Sequence, residues 1–189
     1  LVPVGDDQLP MIEQTNEIVH KMNSLLSTPV LRHCQAMLSQ TSRLPGIDGN
    51  AKMSKSLGNT LTLSASEEEI HKAVSAMYTD PNHLRISDPG CVEGNVVFTY
   101  LDAFHPDTAK VAAMKAHYQQ GGLGDRVCKN ELETCLQELI APMRERRNTF
   151  IQDKGALMAI LREGSERARE VTQTTLDEVK RGLGLPMLG

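Results

Sequence analysis

With 189 residues, 40% of them hydrophobic and 23% charged, the chain has an ordinary globular composition and is long enough for one domain, or for a small domain joined to part of another. A formal net charge of −4 excludes a protein that coats nucleic acid indiscriminately, since that mode depends on neutralising many phosphates, but it leaves room for RNA contact through a local basic patch. Aromatic residues make up 3% and Trp is absent, so the core must be aliphatic and Met-rich.

No apolar run approaches the roughly 18 residues of a membrane span, and no charged-then-apolar leader is seen, so a cytoplasmic protein with no membrane partner is expected. The sequence opens Leu1-Val2-Pro3-Val4 without an initiator Met, which suggests a fragment or a processed product. The four cysteines, Cys34, Cys91, Cys128 and Cys135, are widely spread and read as free thiols rather than a disulfide framework.

Residues 1 to 5 read as a strand, with Val2 and Val4 alternating around Pro3 and Gly5 ending it. A helix should follow, capped by Asp6 or Asp7, with Pro10 in its first turn and Met11, Ile12, Ile18, Val19 and Met22 on its apolar face. From Ser27 to Thr62 the helical pattern is poor, and Pro29, Pro45, Gly46, Gly49, Gly58 and Asn59 mark extended chain and loop. Ser66 followed by Glu69 matches a capping box, and Ile70, Ala73, Val74 and Met77 form the stripe of the helix it opens.

After a loop from Asp80 to Glu93, helices are predicted near 96–104, 108–119, 129–151, 156–163 and 165–183, with Pro142 kinking or dividing the third. Met11, Met22, Met37, Met77 and Met114 read as core filler. His20, His33, His71, His83 and His117 have no metal-ligand spacing.

Two segments carry chemistry. In Gly49-Asn50-Ala51-Lys52-Met53-Ser54-Lys55-Ser56-Leu57-Gly58, two ammonium groups bracket one hydroxyl and another follows, all between glycines that permit movement. Such a loop can surround phosphate oxygens, although a short Lys/Ser run by itself is more often a solvated basic turn. At the opening, Gly5-Asp6-Asp7 lies where a strand meets a helix N-terminus, a place where doubly wound sheets bind ligands through free N–H groups and the helix dipole. Gly-Asp-Asp is equally a turn with a helix cap.

Lys52 to Ser56 resembles the KMSKS motif of class I aminoacyl-tRNA synthetases in all five positions, and its approach, Leu44 to Ala51, resembles that of a bacterial subgroup of tryptophanyl-tRNA synthetases. Val2-Pro3-Val4-Gly5-Asp6-Asp7-Gln8 is similar to the Val-Pro-Val-Gly-Glu/Asp-Asp-Gln segment of the same family. So, in order, are Thr79 to Asn82, Asp88 to Gly90, Gly94 to Phe98, Asp102 to Phe104, Gly121 to Asp125 and Leu139 to Arg144, so the resemblance spans essentially the whole chain.

It implies a mainly α chain: residues 1–62 as the C-terminal part of a doubly wound, Rossmann-like nucleotide-binding domain with the KMSKS loop, and residues 63–189 as an all-α domain that contacts the tRNA anticodon. It implies Lys52 and Lys55 as catalytic groups, the second favoured for pyrophosphate. ATP with Mg2+ would be bound by Gly5, Asp6, Asp7, Leu44, Lys52, Met53, Ser54, Lys55 and Ser56, and tryptophan by Val2, Val4 and Gln8. The implied parent activates L-tryptophan with ATP, transfers it to tRNA(Trp) and forms a homodimer. The family's HIGH-type motif lies upstream of the matched segment and no His-Ile-Gly-His-like run occurs here, so these 189 residues alone are expected to be inactive. The alternative is a non-catalytic helical module that binds tRNA or a protein partner. A nucleotide-binding protein of unrelated function with a chance basic loop is a third reading.

In the helical part, Arg144, Arg146, Arg147, Arg162, Arg167 and Arg169 are candidates for RNA contact, set against pairing with Glu145, Glu163, Glu166 and Glu170. Some bacterial relatives hold an iron-sulfur cluster on cysteines spaced C-x22-C-x6-C-x2-C. Here Cys128 and Cys135 keep the middle interval, but His105 and Glu138 occupy the outer positions, so no iron-sulfur cluster and no metal site are expected. A mixed His/Cys/Cys/Glu site stays open beside the reading of two ordinary thiols.

Overall fold

The computed structural model describes residues 1–26, 29–39, 41, 43–49 and 52–186. The predicted loop's Asn50 and Ala51 and the start of the predicted extended segment, Ser27, lie outside the described residues. Two compact units form by packing, residues 1–42 with 150–189, and residues 43–149.

In the first unit, strand β1 (Val2–Val4) pairs in parallel with β2 (Ala36–Leu38), in the register Val2 to Ala36, Pro3 to Met37 and Val4 to Leu38. Helix α1 (Leu9–Leu25) is the crossover that parallel pairing requires. Strand β2 gives part of the stretch read as extended chain and loop a paired partner. What aligns it is a pair of side chains seven residues apart on α1. Asn16 exchanges two hydrogen bonds with the backbone of Cys34, at 2.7 and 3.0 Å, while the carboxamide oxygen of Asn23 accepts from Val30 and Leu31. These bonds hold the returning chain against the helix.

Asp6 and Asp7 do not cap α1. They form a 3-10 turn with Gln8, which becomes the N-cap residue and makes no side-chain capping bond, while Pro10 does lie in the first helical turn. Of the expected apolar face only Val19 is buried; Met11 and Ile18 are more than half exposed. Met37 is likewise exposed at 52%, so the Met-as-filler reading fits Met77 and the partly buried Met114 but not these two.

Helix α6 (Lys154–Gly182) also belongs to this unit, capped by Asp153 through the Ala156 N–H at 2.8 Å. It runs unbroken through Gly164, correcting the two separate helices predicted on either side of that glycine. An exposed Gly in a helix costs only about 1 kcal/mol relative to Ala.

The second unit has the larger core. Helix α2 (Glu67–Ala76) opens with the predicted capping box: the Glu69 N–H donates to Ser66 Oγ at 3.2 Å, and the Ser66 N–H to the Glu69 carboxylate at 2.7 Å. The Ser66 N–H donating to the carboxylate, with the Ser66 hydroxyl beside it, lowers the Glu69 pKa by favouring the charged form. Helix α3 (Val96–Phe104) buries Val96, Val97, Phe98, Tyr100 and Leu101, hence apolar groups on nearly every side, and packs on α4 (Thr108–Gln120).

Helix α5 (Asp125–Gln152) starts four residues earlier than predicted and keeps Pro142 inside one continuous helix. Its Leu132, Leu136 and Ile140 face Ile70 and Val74 of α2 and the α3 cluster. Polar straps reinforce this packing. Arg144 donates to the Ala65 carbonyl at 2.7 Å and pairs with Glu67 at 3.3 Å, and Lys129 donates to the Ser75 carbonyl at 2.7 Å. Arg144 is therefore engaged within the unit, while Arg167 pairs with Glu163 one turn away.

The expectation of a mainly helical chain is met by six α-helices against two three-residue strands among the described residues. Leu44, Ile47 and Leu61 pack on the helical core, so residues 43–62 fold with the helices that follow them. No helix of the described residues is long and apolar enough to cross a membrane.

Candidate functional site

The opening segment lies wholly in the first unit. Val2 and Val4 are half-buried on β1, Gly5 continues in extended conformation, and the exposed Asp6, Asp7 and Gln8 make the turn that leads into α1. The Gln8 N–H donates to the Gly5 carbonyl at 2.9 Å. This puts two carboxylates and one carboxamide at the C-terminal end of a parallel strand, beside the positive end of a 17-residue helix. A Cβ added at Gly5 would lie 2.9 Å from the exposed end of the Asp7 side chain, which would have to shift by a few tenths of an ångström.

The basic loop belongs to the second unit, where Leu44, Lys52, Met53, Ser54, Lys55 and Ser56 come together. Pro45 and Lys52 form an antiparallel bridge that closes the loop's base. Beyond it Lys55 to Leu57 make an exposed 3-10 turn that ends at Gly58, whose φ of 66° is the left-handed value glycine adopts without strain. The Ser54 and Ser56 hydroxyls lie 2.8 Å apart, and Lys55 beside them is exposed.

Two side chains point inward instead. Leu44 and Met53 line an apolar cavity of about 170 Å3 together with Tyr100 and Ile140. The Tyr100 hydroxyl donates to the Pro45 carbonyl at 2.8 Å and lies 3.7 Å from the Met53 sulfur. Burial pushes its phenol above the ordinary value, so it stays a neutral donor.

A buried residue that sequence reading treated only as loop punctuation holds this base together. Asn59 is 3% exposed, and its carboxamide oxygen accepts the Ser54 N–H at 2.8 Å. Its NH2 group donates to the Asp48 carboxylate at 3.1 and 3.3 Å, and its backbone carbonyl accepts the Ile47 N–H at 3.0 Å. The only sequence signal for it was its position next to the glycine that ends the basic run.

The positions that match the relatives' cluster cysteines make ordinary contacts within the fold. Among the described residues, no group of three or more His, Cys, Asp or Glu is placed to hold a metal ion. His105, at the first outer cysteine position, bonds the Glu131 carboxylate at 2.9 Å through Nε2 and the Asp107 backbone through Nδ1. Burial, aided by the Asp125 carboxylate, pushes the Cys128 thiol up to about 12, and burial raises Cys135 as well. In the native chain at pH 8, iodoacetamide should therefore label exposed Cys91 well before Cys128 or Cys135, with all three reacting in urea; peptide mass spectrometry reads the order. Equal native rates would overturn the burial assigned to the two α5 thiols.

Residues 1–141 match the sequence profile of the family described as tRNA synthetases class I (W and Y). The chain is 50% identical over 190 aligned residues to a tryptophan–tRNA ligase of Streptococcus pyogenes serotype M3, covering 98% of the chain and 56% of the relative. It is also 50% identical to that of Clostridium longisporum, covering 97% and 54%. The structure resembles tryptophanyl-tRNA synthetase from Campylobacter jejuni complexed with ADP and tryptophan, with a TM-score of 0.72 and 28% identity over 97% of this chain and 56% of that one. The chain thus spans a little over half the length of the relatives it matches. A profile match over three-quarters of the sequence, joined to the basic loop in its folded setting, establishes that this chain belongs to the class I tRNA synthetases of the W and Y family.

Proposed function

We propose that the chain is the C-terminal portion of a tryptophan–tRNA ligase and carries the pyrophosphate-handling half of its activation site. The observation that carries this reading is the Lys52 to Ser56 loop, with both arms tied at its base and its lysine-bearing turn exposed, in a chain half of whose residues are identical to those of such ligases.

In activation, an oxygen of the tryptophan carboxylate attacks the α-phosphorus of ATP. The P–O bond to the β-phosphate breaks, its electron pair leaves with pyrophosphate, and tryptophanyl-adenylate remains. A tRNA(Trp) ribose hydroxyl then attacks the acyl carbon and AMP departs. Negative charge develops on the leaving pyrophosphate, and an ammonium group that closes on it there stabilises the transition state more than the ground state. Lys55 takes this role, with Lys52 beside it. Ser54 and Ser56 offer hydroxyl donors, while Leu44 and Met53 anchor the loop from the core side.

At the other segment, Gly5 permits close approach of ATP, Asp6 and Asp7 accept ribose or ammonium hydrogen bonds, and Val2, Val4 and Gln8 border tryptophan. The division into residues 1–62 as the end of a Rossmann-like catalytic domain and 63–189 as an anticodon-contacting helical domain belongs to this proposal. So do the cytoplasmic setting and the homodimeric parent.

Tryptophan-dependent ATP–pyrophosphate exchange tests it. A chain extended upstream to the relatives' full length should exchange, whereas the 189 residues alone, with no HIGH-type run, should not. Failure of the extended chain to exchange overturns the enzyme reading in favour of a non-catalytic module.

A further inference from the structure

Asn59 is one of three buried polar side chains among the described residues, and unlike Asn95, which caps α3 through the Val97 N–H, it caps no helix. A carboxamide in that position would cost several kcal/mol unless paired, and its pairing is directed. One face accepts from Ser54, on the outgoing arm of the basic loop. The other donates to Asp48 on the incoming arm, with the Lys52 carbonyl 3.5 Å away, and the Asn59 backbone carbonyl takes the Ile47 N–H.

The contacted groups at Lys52 and Ser54 lie on either side of Met53, so one planar group fixes the backbone that carries the first lysine and leads to the second. Asparagine alone supplies an acceptor and two donors at this reach. Aspartate would set a second carboxylate against Asp48, and glutamine would overshoot by a methylene. Gly46 makes the space: a Cβ added there would lie 2.3 Å from Asn59 Nδ2.

We propose that Asn59 is a positioning residue for the Lys52–Ser56 loop. It holds the loop's base so that both ammonium groups need little further ordering when they close on the leaving pyrophosphate. This rests on the activation chemistry proposed above, but the clamp itself is measurable without it.

Two variants and two readouts test the assignment. Asn59→Ala removes the clamp, and Gly46→Ala displaces it while keeping the side chain. In the 189-residue chain, both should raise trypsin cleavage after Lys52 and Lys55 by about tenfold or more relative to cleavage after Arg85, an exposed loop site outside the clamp, because local opening sets the cleavage rate. In the extended chain both should lower kcat for pyrophosphate exchange by roughly 10- to 100-fold and leave KM for ATP and tryptophan within about twofold, the signature of an interaction expressed in the transition state.

Unchanged cleavage after both lysines overturns the clamp. Faster cleavage with unchanged kcat, or with a rise in KM for ATP alone, overturns the positioning role. If the unsubstituted extended chain fails to exchange, the activation reading falls, and the proteolysis result still decides whether Asn59 holds the loop.

Discussion

Replacing Lys55 with alanine in the upstream-extended chain should lower kcat for tryptophan-dependent pyrophosphate exchange by about 10²- to 10³-fold, equivalent to roughly 3–4 kcal/mol of lost transition-state stabilisation. The melting temperature should barely move. Lys55 sits exposed in a short 3-10 turn that contributes nothing to the helical core, so the substitution removes an ammonium group and little packing. Lys55→Arg keeps the charge but spreads it over a planar fork, and should recover only part of the rate. Lys52→Ala should fall in the same direction by a smaller factor, since Lys55 rather than Lys52 is proposed to meet the leaving pyrophosphate, and the backbone bridge with Pro45 survives the substitution. If Lys55→Ala exchanged at the unsubstituted rate, the charge on the leaving group would have to be met elsewhere and the role given to this loop would be wrong.

What was legible in the sequence was what local chemistry decides. Ser66 and Glu69 announced a capping box because both of its bonds are made within four residues, and the helices expected near 96–104 and 108–119 formed within a residue of those bounds. Strand β2 was not legible. Ala36, Met37 and Leu38 lack alternation, and their pairing is decided by Asn16 and Asn23 on a helix ten or more residues upstream. The same holds for Asp6 and Asp7, both plausible caps by type, where the chain instead inserts a 3-10 turn before α1.

The candidate site divides in the same way. Lys52 to Ser56 could be recognised because a phosphate-binding loop must display its donors in sequence. What holds that loop could not: Tyr100 reaches the Pro45 carbonyl from 55 residues away, and Asn59 ties two arms whose proximity exists only after folding. Read as a string, an asparagine after a glycine signals a turn. Only its burial at 3% and its bonds to Ser54 and Asp48 set it apart from a turn residue.

The core beneath this loop makes the second large effect, and it should appear in stability rather than rate. Tyr118 is fully buried, its ring centroid 5.1 Å from Phe98 and 4.4 Å from His83. Its hydroxyl donates to Asp125 at 2.8 Å, and the other oxygen of that carboxylate bonds His83 at 3.1 Å. Burial, and then the bond to Asp125, raises the phenol above its ordinary range, so it remains a donor at any working pH. Tyr118→Ala should destabilise the chain by about 3–5 kcal/mol through the cavity it leaves, against roughly 1–2 kcal/mol for Tyr118→Phe, which leaves one carboxylate oxygen short of a donor. Urea denaturation followed by helical circular dichroism measures both, and equal losses would mean that the hydrogen bond, not the ring, holds the core. Gly90→Ala should approach the larger value, since a Cβ there would lie 2.2 Å from the Tyr118 ring. The damage should also travel: the Val96 N–H at the start of α3 donates to the Tyr78 carbonyl, and the Tyr78 N–H to the Ile47 carbonyl beside the loop's incoming arm. Amide exchange at Tyr78 and Ile47 should therefore quicken in Tyr118→Ala and stay unchanged in Lys55→Ala, which separates the framework that carries the loop from the charge that the loop delivers.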